Sequence, residues 1–126
     1  MGESGFTDRE LDVMSILWRR GSATVAEVRE ELGAELAYTS VLSALQALEA
    51  KGRVRHEKEG KVYRYLAEVP REEAGRNAIG RLLDKVFEGS AAGLLAQLVE
   101  ERGVSPEELA RMRALLDERL GEEGEP

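Results

Sequence analysis

Apolar residues recur along this chain at two periods, and the place where the period changes is the main clue to its architecture. Up to Leu48 the spacing is helical. Leu11, Met14, Leu17 and Trp18 give one stripe, Val28 and Leu32 a second, and Val41, Leu42, Leu45 and Leu48 a third. From Val54 the spacing shortens to two, so that Val54-Arg55-His56-Glu57 and Lys61-Val62-Tyr63-Arg64-Tyr65-Leu66 predict two strands. The helical period returns after Pro70. Ile79, Leu82, Leu83, Val86 and Phe87 form one stripe, Leu94, Leu95, Leu98 and Val99 another, and Leu109, Met112, Leu116 and Leu120 the last.

Helix signals fall between these stripes. Thr7-Asp8-Arg9-Glu10 and Thr24-Val25-Ala26-Glu27 have the form of capping boxes, in which the threonine hydroxyl and the glutamate satisfy each other's orphan amides. Gly21, Gly33 and Gly52 close the three helices that result. Lys58-Glu59-Gly60 predicts a three-residue hairpin turn with Gly60 supplying the positive φ, and Ser105-Pro106-Glu107-Glu108 marks the start of the final helix. Three short helices followed at once by a basic hairpin are the order of a winged helix-turn-helix. The expected fold is therefore mainly α with a small β-hairpin wing. It divides into a winged-helix DNA-binding domain over 1–69, a three-helix domain over 70–120 and a disordered acidic tail over 121–126.

The third helix has two unlike faces. Its apolar stripe docks on a core, while Thr39, Ser40, Ser43 and Gln46 form a small, uncharged face that can donate and accept hydrogen bonds at base edges in a major groove. The three C-terminal stripes need something to bury against. A second copy is the economical partner, and folding back onto the winged domain is the alternative. On the first reading Ile79, Leu82, Leu83, Val86, Phe87, Leu94, Leu95, Leu98, Leu109, Met112 and Leu116 line a dimer interface.

Charge refines this picture. The chain has 126 residues and a net charge of −7, which argues against a non-specific nucleic-acid coat. Within 37–67, however, Lys51, Arg53, Arg55, Lys58, Lys61 and Arg64 outnumber Glu49, Glu57 and Glu59, a local +3. The acidity lies in the C-terminal part and its last residues. No cysteine is present, so disulfides, thiolate metal sites and cysteine nucleophiles are excluded. His56 is the only histidine and is expected in a structural or phosphate-adjacent place, with no metal and no cofactor implied. No apolar run approaches membrane-spanning length and the opening at Met1 lacks the form of a signal peptide, which makes a cytoplasmic protein the expectation. Trp18, Tyr63 and Tyr65 are expected in the core. The pairs Glu72-Glu73, Glu100-Glu101 and Glu107-Glu108 occupy adjacent helical positions that do not face each other. No nucleophile with a base and an orienting group can be assembled, so an enzyme is not expected.

The sequence resembles the penicillinase-repressor (BlaI/MecI-type) family of bacterial transcription repressors from about Phe6 to Leu120. The resemblance is carried by Glu10-Leu11-Asp12-Val13-Met14 with Leu17-Trp18, by Tyr38-Thr39-Ser40-Val41-Leu42, by Leu48-Glu49-Ala50-Lys51-Gly52 and by Gly60-Lys61-Val62-Tyr63-Arg64-Tyr65. It implies a homodimer that binds an inverted-repeat operator of double-stranded DNA with TACA and TGTA half-sites. Thr39, Ser40 and Ser43 would face the groove, Arg55, Lys58, Lys61 and Arg64 would flank phosphates, and Thr24 would present helix N-terminal amides to a phosphate. With Tyr38 and Gln46 these make up the candidate DNA-contact set. Members often carry a basic residue near Gln46 and Ala47, where this chain has none. Relatives are cleaved by a sensor-linked protease at an Asn-Phe bond in the fifth helix, and the aligned pair here is Gln97-Leu98. The cysteine cluster of copper-responsive relatives is absent. A dimeric repressor is the reading favoured, a winged-helix protein–protein interaction module without DNA-binding activity is the alternative, and an enzyme accessory subunit is a third class.

Overall fold

The computed structural model describes residues 5–33 and 35–124. The chain divides into two units, residues 1–80 and 81–126.

In the first unit, α1 (Asp8–Arg20), α2 (Val25–Leu32) and α3 (Tyr38–Ala50) pack around a core closed by a three-stranded antiparallel sheet. Both capping boxes form. Thr7 Oγ1 accepts from the Glu10 amide at 3.0 Å while Glu10 Oε1 accepts from the Thr7 amide at 3.0 Å. Thr24 and Glu27 repeat the arrangement at 3.0 and 3.2 Å. The buried face of α1 is one position round from the expected stripe. Glu10, Val13, Met14 and Leu17 point inward with Ile16, and Leu11 is exposed. Val13 and Ile16, which the expected stripe omits, complete the apolar inward face, and Glu10 lies beside them with its second oxygen taking the Lys51 ammonium at 2.8 Å just past the end of α3. Burial pushes the Glu10 carboxyl up, but the hydrogen bonds from Lys51 and Thr7 and the charges of Lys51 and Arg53 outweigh it and hold the group below its ordinary range.

The sheet runs β1-β3-β2, with β1 spanning Ala23–Thr24, β2 spanning Val54–Glu59 and β3 spanning Val62–Ala67. The hairpin is tighter than expected. Glu59 pairs with Val62, which leaves a two-residue turn of Gly60-Lys61, and Gly60 at φ 63° occupies the position where a type II′ turn needs a glycine. The third strand, β1 (Ala23–Thr24), was not legible as a strand, being two residues long. It pairs Ala23 with Tyr65 and Thr24 with Arg64. Met14, Leu17, Val28, Val41, Leu45, Leu48, Val54 and Tyr65 form the core.

The expected boundary near residue 69 moves. Ala74, in the first turn of α4 (Arg71–Lys85), is buried, the Trp18 indole donates to the Val69 carbonyl at 2.8 Å, and the Arg71 guanidinium lies over the Trp18 ring at 5.6 Å. These contacts assign the start of α4 to the first unit, and Trp18, partly buried, packs against the core as expected.

The second unit holds the end of α4, then α5 (Ala91–Arg102) and α6 (Pro106–Gly124). Val86 and Phe87 lie in the turn beyond α4, because the chain reverses through positive φ at Glu88 and Gly89. Ser90 caps α5 and Ser105 caps α6, the latter as expected. α6 continues through Gly124, so 121–124, expected as tail, is helical, in keeping with the helix-favouring pair Glu122-Glu123. Glu125 and Pro126, and the opening residues Met1 to Ser4, lie outside the described residues. None of the described side chains from 81 to 122 is buried.

Candidate nucleic-acid interface

One side of the first unit gathers most of the candidate residues. Burying Val41, Leu45 and Leu48 turns the other face of α3 outward, and Tyr38, Thr39, Ser40, Ser43 and Gln46 are all exposed. The helix starts without a side-chain cap at Ala37. Thr24 sits at the head of α2 and, through its pairing with Arg64, fixes that helix start to the wing. Thr24, Tyr38 and Gln46 line one groove with Lys61 and Tyr63 of the hairpin. Thus α2, α3 and the wing converge, as the sequence reading requires.

The four wing cations fall into two kinds. Arg55 is held by Glu57 and, at 2.7 Å, by Glu68, while Arg64 is held by Glu59 at 3.0 Å and Glu27 at 3.3 Å, with Ser22 Oγ at 3.4 Å. The hydrogen bond to Glu57 raises the Arg55 pKa, and that to Glu59 raises the pKa of Arg64. Lys58 and Lys61 form no ion pair among the described residues. A phosphate meeting either lysine displaces only water and ions, whereas at Arg55 or Arg64 it competes with a carboxylate. Glu27 ties this side together. It caps α2, and the Thr24 amide, ahead of the charges of Arg64 and Arg20, holds its carboxyl below the ordinary range.

Two aromatic expectations part company here. Tyr65 is 2% exposed and burial raises its phenol pKa, in line with a core role, whereas Tyr63 is 46% exposed. Both occupy the helix-facing side of β3, but Tyr63 lies beyond the last core layer, towards the hairpin tip. His56 joins β2 to α3. Its Nδ1 lies 2.8 and 2.9 Å from the two carboxylate oxygens of Glu49 on α3, and its ring lies 4.3 Å from that of Tyr63. Among the described residues no group of three or more histidine, cysteine or acidic side chains could hold a metal, and no helix is long and apolar enough to cross a membrane.

Comparison with known proteins places this geometry. Residues 6–118 match the family model described as Penicillinase repressor. The chain is 32% identical over 126 residues to the transcriptional regulator BlaI of Mycobacterium tuberculosis, covering 94% of this chain and 88% of that one. It is 25% identical over 114 residues to the penicillinase repressor of Bacillus licheniformis, covering 89% of each. The solution structure of the DNA-binding domain of the repressor BlaI superposes with a TM-score of 0.50 at 29% identity, over 56% of this chain and 88% of that domain.

Proposed function

The chain belongs to the penicillinase repressor family of DNA-binding transcriptional repressors, and from that membership we propose that two copies bind an inverted-repeat operator, each reading one half-site. The exposed polar face of α3 enters the major groove, and the wing and the head of α2 follow the backbone. The observation that carries the reading is the convergence of Thr24, Tyr38, Gln46 and Lys61 on one groove beside that face. Thr39, Ser40 and Ser43 are the base-reading residues, and Lys58 and Lys61 supply more of the phosphate attraction than the carboxylate-bound Arg55 and Arg64.

The second copy is supported by the second unit. Leu82, Val86, Phe87, Leu94 and Leu98 line an apolar groove of about 310 Å³, and Leu109 and Leu116 are exposed on α6 with the half-buried Met112 between them. Large apolar side chains left exposed together in this way are the usual mark of an association site. Leu83 and Leu95, each half-buried, complete the interface, and Ile79 extends the apolar stripe along α4 within the first unit. A cytoplasmic site of action belongs to the same reading. Family membership also makes a sensor-linked protease the regulatory partner to test, at the Gln97-Leu98 bond inside α5.

Fluorescence anisotropy with a TACA/TGTA inverted repeat and a scrambled duplex, at two salt concentrations, tests the proposal. Tighter binding to the repeat that weakens steeply with salt is expected, because released counterions impose that dependence. Equal weak binding to both, followed by no enrichment in a selection from random DNA, would instead favour a winged-helix module for protein partners.

A further inference from the structure

The groove between α3 and the hairpin has a volume of about 270 Å³, and no carboxylate lines it. Its lining includes the apolar residues Leu42 and Val62 and the polar side chains of Tyr38, Tyr63, Gln46 and Lys61. Among the described residues none of these four polar groups takes an intramolecular hydrogen bond. The groove thus combines hydrogen-bond donors with apolar lining residues, and its one charged lining residue is positive.

Tyr63 is also held in place. The Glu49 carboxylate in the last turn of α3 engages His56 Nδ1 on β2, and the His56 ring lies against Tyr63 diagonally across the hairpin, tilted by 35°. A nearly half-exposed phenol is therefore fixed through a side-chain relay to the helix that faces the major groove. Lysine, tyrosine and amide donors are the groups that meet phosphates and sugars in DNA interfaces, and apolar walls suit the deoxyribose between them.

We propose that this groove seats one sugar–phosphate strand of the operator, with the Tyr63 hydroxyl donating to a phosphate and with Glu49 and His56 as positioning residues for that phenol. The inference rests on the DNA-binding reading and adds Tyr63, Glu49 and His56 to it. It requires a contact that is indifferent to base sequence and confined to one phosphate per half-site.

The test uses the full chain and operator duplexes in which single phosphates are replaced by neutral methylphosphonates. Tyr63→Phe should weaken binding roughly ten- to a hundredfold on operator and scrambled DNA alike, on the scale of one hydrogen bond to a charged group. Its thermal melt should be unchanged, since the hydroxyl has no partner within the chain. One methylphosphonate position per half-site should cost the wild type more than Tyr63→Phe. At that same position His56→Ala and Glu49→Gln should show reduced cost, and their losses should not add to that of Tyr63→Phe. Equal costs at every position overturn the phosphate contact, and additive losses overturn the positioning relay. Wild-type protein that binds no duplex overturns both this inference and the DNA-binding reading, whereas wild-type binding with an unaffected Tyr63→Phe overturns this inference alone.

Discussion

The two units of this chain use similar amphipathic helices to opposite effect. Residues 1–80 turn their apolar stripes onto one another and onto the sheet, so that Met14, Leu17, Leu45, Leu48 and Tyr65 are almost wholly removed from water. Residues 81–122 leave Leu82, Val86, Leu98, Leu116 and Leu120 exposed and bury no side chain. Amphipathicity alone therefore does not say where a helix finds its partner. The difference lies in what stands opposite the stripe. The hairpin and two capped helices close the first core within one chain, and the second unit has only two helices and the end of a third.

The largest expected effect breaks the contrast at the second unit. Leu95→Asp should yield monomers with an intact winged unit, and operator affinity should fall by about 10² to 10⁴-fold as the linkage of two half-site contacts is lost. Unchanged mass in sedimentation would reject the interface. Next in size is Leu45→Ala, which opens a void in the closed core and should cost about 2–5 kcal/mol in denaturant unfolding. Leu116→Ala, on the exposed α6 stripe, should leave the unfolding of the winged unit unaltered.

A smaller effect comes from Glu10. Its folded carboxyl titrates below its ordinary range, so the stability it contributes is present above the unfolded pKa and is lost as pH falls through the folded one. Glu10→Gln should lower stability by about 1–3 kcal/mol at neutral pH. It should also flatten the acid limb of the stability–pH curve below about pH 4.5. An equally steep limb in the variant would show that other carboxylates govern acid unfolding. The smallest effect separates the wing cations. Lys61→Ala should reduce the slope of log affinity against log salt by about 1, and Arg64→Ala, already held by Glu27 and Glu59, should reduce it less. Equal changes would mean that the arginine releases its carboxylates on DNA.

Much of the first unit was legible in the sequence because local signals and long-range packing agree there. Thr7 and Thr24 cap as their boxes imply, and the valine and leucine stripe of α3 is buried as its spacing implies. Where the two conflict the sequence misleads. Leu11 looks like a core position, yet Val13 and Ile16 take the inward face of α1 with Met14 and Leu17, and Glu10 rather than Leu11 is buried beside them. Tyr63 and Tyr65 share a strand face, yet only the distance from the hairpin tip decides which of them meets the core. A two-residue strand such as β1 carries no periodicity to read. The inequality of the four wing cations was hidden too, since it depends on Glu27, Glu59 and Glu68 arriving from other elements or other strand positions. Glu49 and His56 are seven residues apart in sequence, and only the fold of β2 against α3 joins them.

Sedimentation equilibrium of the full chain beside a fragment of residues 1–80, at the same micromolar concentration, tests the central claim most directly. The account expects twice the chain mass of 13.9 kDa for the full protein and a folded monomer for the fragment. A full chain that sediments at 13.9 kDa, or a fragment that dimerises by itself, would contradict the division of labour between the two units.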